Sequence, residues 1–196
     1  LVALYLAQTR GIMFPEEVRA WVDRMIELPD HVQATLKLDP EVRELAERFA
    51  DARDVLFIGR HTSYPAALEG ALKLKEISYI HAEGYPAGEL KHGPIALVEE
   101  GTPVVAVATE CHVYPKMLSN IQEVKARGAE VLAIATEGDE QIRRYADHVV
   151  FVPRTRELLS PVTVAVPLQL FAYHVAKLRG CDVDQPRNLA KSVTVE

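Results

Sequence analysis

The strongest constraint on the fold is a regular alternation of strand and helix signals that begins near residue 54. Apolar runs at 55–59, 104–108, 131–135 and 149–152 are each followed by a segment with helical signals. Because these runs are continuously apolar rather than alternating, they are typical of strands buried on both faces of a parallel sheet. With a further short strand expected near 79–82, the sequence predicts an α/β three-layer sandwich with about five parallel strands flanked by helices.

The helices predicted within this alternation cover 65–77, 115–127, a short segment around 141–145, and 161–178. Ahead of them we expect an apolar helix over 1–10, a helix that begins at Pro15 and runs to Leu36 with its apolar face interrupted at Pro29, and a third over 39–50. The tail after Cys181 has no periodicity and contains Pro186, which indicates irregular structure. It is a candidate lid.

Composition excludes several classes of partner. With 22 basic and 28 acidic residues the formal charge is −6, without long like-charge blocks, so neither nucleic acid nor an anionic membrane is favoured. The two cysteines form no Cys-x-x-Cys pair, and Cys111-His112 alone is too weak to suggest a metal site. Since Pro167, Gln169 and His174 interrupt the most apolar stretch, we expect no membrane span. The composition favours a soluble, cytoplasmic protein with no metal and no cofactor.

The helix over 65–77 carries the first candidate site residues. Glu69, Lys73 and Glu76 fall at i, i+4 and i+7 and therefore share one helix face. A solvent-facing ladder of ion pairs has the same spacing. The segment that follows is dense in ionisable groups, however, and loops of that kind are commonly functional.

Two more candidates lie further along the chain, His92 and Lys191. A histidine at a helix end is also common for its dipole interaction, and polar tails are usually mobile. Together, the groups fit sugar chemistry. A Schiff-base lysine needs a site that favours its neutral form, through desolvation or through a neighbouring cation such as Lys73. A carboxylate can carry a proton between two carbons, and a histidine can open a sugar ring. We expect this chemistry at the carboxyl ends of the strands.

The turn 59–65 combines a glycine, a serine and a helix start, so its backbone amides could hold a phosphate or a hydroxyl. This pattern is weak, because nearly every strand-to-helix turn in such folds has something similar.

Three blocks, 67–83, 88–94 and 182–196, closely resemble the carboxyl-terminal part of the glucosamine-6-phosphate synthase family. The resemblance implies a sugar isomerase (SIS) domain with a flavodoxin-like fold. It divides the chain into a helical extension at 1–45, a second SIS domain at 46–182 and an active-site tail at 183–196. Because the chain starts without Met and without an N-cap, we expect it to be a fragment.

Residue roles follow from the same resemblance. It implies that Lys191 forms a Schiff base with open-chain fructose 6-phosphate, that Glu76 moves a proton between C1 and C2, and that Lys73 assists beside it. His92 would open the sugar ring in the active site of the neighbouring subunit, which implies a homodimer. Ala190 would lie against the sugar, and the product would be glucosamine 6-phosphate.

Two other functions stay open. One is a non-catalytic module that senses sugar phosphates, which would not need a reactive lysine in the tail. The other is a stand-alone phosphosugar isomerase without amide transfer. As an isolated piece lacking the glutaminase domain and the phosphate-binding loop of the family, the chain is expected to be inactive or nearly so.

Overall fold

The structure is a computed structural model that describes residues 1–189. Four helices come first: α1 (Val2–Thr9), α2 (Pro15–Ile26), α3 (Leu28–Leu36) and α4 (Asp39–Phe49). The single helix expected up to Leu36 is therefore two helices. They meet at Glu27, because Pro29 lies in the first turn of α3 and, having no N–H, cannot continue the hydrogen-bond ladder of α2.

Five parallel strands form one sheet in the order β2-β1-β3-β4-β5, which confirms the predicted sheet. Their bounds are β1 (Asp54–Gly59), β2 (His81–Pro86), β3 (Pro103–Ala108), β4 (Glu130–Thr136) and β5 (His148–Val152). The second strand lies later than expected. Tyr79 ends the preceding helix with φ 63, a left-handed conformation that no strand residue adopts, so β2 starts only after it.

Helices cover both faces of the sheet, as predicted. The remaining α-helices are α5 (Ser63–Ser78), α6 (Tyr114–Lys125) and α7 (Ser160–Leu178), with 3-10 helices at Ala87–His92, Pro94–Leu97, Ile142–Arg144 and Glu157–Leu159. α4, α5 and α7 pack on one face around Phe57, while α6 and the 3-10 helix Ala87–His92 pack on the other around Ile58. Each face therefore has its own apolar core.

The apolar helix α7 is the segment for which the question of a membrane span arises. By length and composition alone, the stretch Glu157–Leu178 is long and apolar enough to cross a membrane, because Pro167, Gln169 and His174 interrupt the run without adding full charges. Yet 50% of its most apolar part is buried inside the domain, where Phe171 and Leu168 pack in the core. Such burial is typical of the core helix of a globular domain.

The direction of α5 decides where its side chains lie. α5 starts beyond the carboxyl end of β1 and returns to the amino end of β2, whose first residue His81 pairs with Asp54 at the start of β1. The other end of α5 is fixed by Arg179, whose guanidinium donates to the carbonyl oxygens of Ser78 and Ala50. The second half of α5 therefore lies toward the amino edge of the sheet.

Candidate active site

The structure brings Lys73 and Glu76 together on α5. Lys73 Nζ donates a hydrogen bond to Glu76 Oε2 at 2.7 Å, and both side chains are about one third exposed or less. The hydrogen bond to Glu76 raises the pKa of Lys73; partial burial opposes this, and the charges of Glu76 and Glu69 add to it. Lys73 is therefore a firmly protonated cation held against the carboxylate.

Other residues of α5 differ from the expected single polar face. Glu69 accepts a hydrogen bond from Gln169 of α7 at 3.3 Å rather than joining the ladder. Leu68 and Leu72 of the same helix are 42% and 41% exposed. The exposed surface of α5 is therefore partly apolar.

The position of the pair corrects the expectation that it lies at the carboxyl ends of the strands. Lys73 comes ten residues after Ser63, which is about 15 Å along the helix, and Glu76 is near the last residue, Ser78. Because a crossover helix runs antiparallel to the strands it joins, the pair lies toward the amino edge. The spacing correctly predicted that Lys73 and Glu76 lie together on one helix, but the expected edge of the sheet was wrong.

His92 lies elsewhere. It ends the 3-10 helix Ala87–His92, its side chain is 74% exposed, and its Nε2 atom is 3.7 Å from Glu89 Oε2. Leu90 of this 3-10 helix packs in the core on the sheet face opposite α5. Within residues 1–189, no hydrogen bond or ion pair joins His92 to Lys73 or Glu76.

The neighbouring Lys91 helps to fix this 3-10 helix. Its amine lies 2.6 Å from Glu123 Oε1 of α6. His92 follows the carboxyl end of β2, and its 3-10 helix packs on the sheet face opposite α5. Within one chain, its imidazole is therefore separated from the Lys73–Glu76 pair.

The last described part of the tail contacts the end of α5. The Arg187 N–H donates to the Tyr79 hydroxyl oxygen at 2.8 Å, and the Arg187 guanidinium lies 4.1 Å from the centroid of the Tyr79 ring. Tyr79 comes three residues after Glu76. The predicted site residues Ala190 and Lys191 lie outside the described residues.

The turn 59–65 uses its polar groups internally. Ser63 Oγ and Thr109 Oγ1 are 3.2 Å apart and buried, and Arg60 donates to Asn120 Oδ1 at 2.8 Å. These contacts connect the turn to the β3–α6 side of the domain. They account for Arg60 and Ser63 without a ligand, whereas the buried Thr62 Oγ1 has no hydrogen-bond partner in the part of the chain that the structure describes.

A cluster that the sequence analysis missed lies beside this turn. His61 Nδ1 is 2.7 Å from Glu157 Oε1, and His112 Nδ1 is 3.1 Å from the same oxygen. Burial alone would raise the pKa of Glu157, but the hydrogen bond and charge of His112, with the charge of His61, outweigh it and lower the pKa. The three residues come from three separate connections, so no local spacing could reveal them.

A concavity of about 590 Å³ lies at the amino ends of β1 and β3, lined by Arg53, Asp54 and Thr102 among others. Neither Lys73 nor Glu76 lines it. The concavity therefore does not enclose the ion pair.

Comparison with known proteins gives a consistent result. The model of the SIS domain family matches residues 48–179. The chain is 58% identical over 196 residues to a protein of Thermus thermophilus named glutamine–fructose-6-phosphate aminotransferase [isomerizing], and 55% identical to the protein of that name from Methanosarcina mazei. Each match covers 100% of this chain and 32% of the relative, so the chain spans about a third of the length of these curated relatives.

Solved structures agree with the sequence matches. The C-terminal domain of glucosamine-fructose-6-phosphate aminotransferase from Francisella tularensis superposes with a TM-score of 0.87 at 40% identity, covering 93% of this chain and 51% of that chain. A glucosamine-6-phosphate deaminase from Thermotoga maritima gives a TM-score of 0.69 at 26% identity, covering 97% of this chain and 53% of that chain. Both comparisons extend beyond the sheet to most of the chain.

Proposed function

The chain belongs to the SIS domain family, and from that premise we propose that it is the isomerase part of a glutamine:fructose-6-phosphate aminotransferase. It would make glucosamine 6-phosphate from fructose 6-phosphate and glutamine-derived ammonia. The observation that carries the proposal is the Lys73–Glu76 pair, a carboxylate held against a fixed cation in a chain 58% identical to enzymes of that name. We infer residues 46–182 as the SIS domain, 1–45 as a helical extension and 183–196 as the tail.

The chemistry assigns one task to each group. The Lys191 amine adds to the C2 carbonyl of the open-chain sugar and water leaves, which gives a Schiff base that ammonia then resolves to an imine at C2. Glu76 removes a proton from C1 and returns a proton to C2, while the C1 hydroxyl loses its proton and the imine nitrogen gains one. The result is an aldehyde at C1 and an amine at C2, with Ala190 against the sugar.

Lys73 acts through charge in this proposal. A protonated Lys73 beside Glu76 favours the neutral, nucleophilic form of a nearby second amine. The raised pKa of Lys73 supports this role, because the cation is present throughout the neutral range. The contact between Arg187 and Tyr79 supports an approach of the tail to the same end of α5.

We further infer a cytoplasmic homodimer in which His92 opens the sugar ring in the neighbouring subunit. Two observations support this inference. The His92 imidazole is largely exposed, and its 3-10 helix packs on the face of the sheet opposite α5. A single chain therefore separates groups that the chemistry needs in one pocket.

Reductive trapping tests the assignment. The protein expressed from its complete reading frame is incubated with fructose 6-phosphate and borohydride, and the modified residue is located by mass spectrometry. We expect a stable adduct on Lys191 that Lys191→Ala abolishes and that Lys177→Ala, a change at an exposed lysine of α7, leaves intact. Sugar binding with no adduct would contradict the proposal and favour a sensing module, and an adduct that persists in Lys191→Ala would contradict the assigned residue.

A further inference from the structure

Three side chains outside the proposed active site converge on one point. His61, His112 and Glu157 each offer a ligand atom, and these atoms all lie within 4.8 Å of one another. Each imidazole directs its own Nδ1 atom to the Glu157 carboxylate, and the two rings pack edge to face with centroids 4.8 Å apart. Two imidazole nitrogens and one carboxylate oxygen are a common set of protein ligands for zinc.

The cluster lies where the fold offers a crevice. His61 follows β1 and His112 follows β3, while Glu157 lies between β5 and α7. β1 and β3 are neighbours in the sheet, but the chain leaves β1 through α5 on one face and β3 through α6 on the other. This divergence is the switch point of an open parallel sheet, outside whose carboxyl ends ligands bind.

We propose that His61, His112 and Glu157 bind a divalent transition-metal ion, with Zn²⁺ as the best match. Metal–ligand distances of about 2.0–2.2 Å in a tetrahedral site put ligand atoms about 3.3–3.5 Å apart. The nitrogen–oxygen distances of 2.7 and 3.1 Å are shorter than this by a few tenths of an ångström, whereas the ligand atoms as a set lie within 4.8 Å of one another, so the two imidazoles must turn toward each other to hold the ion. Three protein ligands leave a fourth position open to water or to an anionic ligand.

Another histidine of the same chain shows what distinguishes this arrangement from ordinary ion pairs. His81 lies between Asp54, 2.8 Å from its Nδ1 atom, and Glu83, 3.6 Å from its Nε2 atom. The two nitrogens of one ring point in different directions, so a single ion cannot reach all three residues. At the switch point, by contrast, three different residues direct one atom each to a shared point.

The connections that carry the ligands are well fixed. His61 holds a left-handed conformation with φ 51, which is uncommon outside glycine and in which asparagine, aspartate and histidine are enriched. Glu157 begins a 3-10 helix, and its backbone carbonyl accepts a hydrogen bond from Ser160 Oγ at 2.8 Å. Local order of this kind lowers the entropic cost of assembling a metal site.

The test measures metal binding directly and needs neither sugar nor activity. The chain is stripped of metal with a chelator and titrated with Zn²⁺ by calorimetry. We expect a single ion per chain, with affinity reduced at least about tenfold by His61→Asn and by His112→Gln. Asparagine is used at position 61 because it tolerates the left-handed conformation.

Folding and specificity have their own controls. Circular dichroism checks that each variant keeps its helix content, and His81→Asn is the matched control at an exposed histidine with carboxylate neighbours. Thermal melts are the second readout, since an ion that binds only the folded chain raises Tm. No binding at millimolar Zn²⁺, or binding that folded His61→Asn and His112→Gln retain undiminished, would overturn the proposal.

Discussion

At the scale of single residues, the Lys73–Glu76 contact is a poor source of stability. Partly exposed ion pairs at i and i+3 contribute from nothing to about 1 kcal/mol, and these two side chains are 34% and 27% exposed. Its chemical consequence is larger, because the carboxylate keeps the amine charged. A contact that adds little stability but keeps the Lys73 amine protonated is consistent with the catalytic role proposed for it.

Tyr79 gives a residue-scale prediction about the tail. Tyr79→Phe removes the hydroxyl that accepts the Arg187 N–H but keeps the ring beneath the guanidinium. We expect the free energy of unfolding to fall by no more than about 1.5 kcal/mol, while trypsin cleaves after Arg187 several-fold faster. Tyr173→Phe, on the exposed surface of α7, is the control. Equal cleavage rates in both variants would show that the hydroxyl does not hold the tail.

Sequence reasoning located some site residues better than others. Lys73 and Glu76 share one helix face, and a helix face follows directly from spacing. The cluster of His61, His112 and Glu157 depends on how three connections meet at one edge of the sheet, which has no signature in local sequence. Ala190 and Lys191 lie outside the described residues and remain predictions, and Ala190 rests on the resemblance alone.

At the scale of helices and strands, the continuous apolar runs predicted the sheet well, because burial on both faces leaves few alternatives. The errors fell at junctions. The left-handed Tyr79 delays β2, and Pro29 divides the second predicted helix. A pattern of apolar residues also does not show which edge of the sheet a helix residue lies near. The position of Glu76 toward the amino edge follows only from the path of α5 between β1 and β2.

Asp147 gives an element-scale prediction, since it joins α6, β4 and β5. Its carboxylate accepts hydrogen bonds from Lys125 Nζ at 2.6 Å and from the Val131 N–H at 2.8 Å. Burial opposes the charge, but these hydrogen bonds and the charge of Lys125 outweigh it and lower the pKa of Asp147. A lowered pKa in the folded state stabilises the fold above the ordinary value of 3.8, and this contribution is lost as the pH falls below it.

Asp147→Asn should therefore reduce the free energy of unfolding by about 1 kcal/mol at neutral pH, after allowing for solvent screening. The difference from the parent protein should shrink as the pH falls below 3.8. Urea denaturation at neutral pH and again below pH 3.8 measures this difference in the free energy of unfolding. Asp51→Asn, at an exposed position, is the control. A deficit of the same size at every pH would mean that the carboxylate charge is not the cause.

At the scale of the whole molecule, one chain keeps the proposed catalytic groups apart. The Lys73–Glu76 pair lies on the α5 face of the sheet, toward the amino edge, whereas His92 lies on the other face, beyond the carboxyl end of β2. We propose that two copies bring these groups into one pocket. The proposal depends on exchange of His92 between subunits, because without it the imidazole has no part in the chemistry.

The most direct test mixes two variants of the protein expressed from its complete reading frame, His92→Asn and Glu76→Gln, each inactive alone. After subunits exchange, a mixed dimer pairs the intact Glu76 of one chain with the intact His92 of the other. With random pairing, the account predicts that synthesis of glucosamine 6-phosphate recovers to roughly a quarter of the parent rate. No recovery, with mixed dimers shown to form, would contradict the shared site.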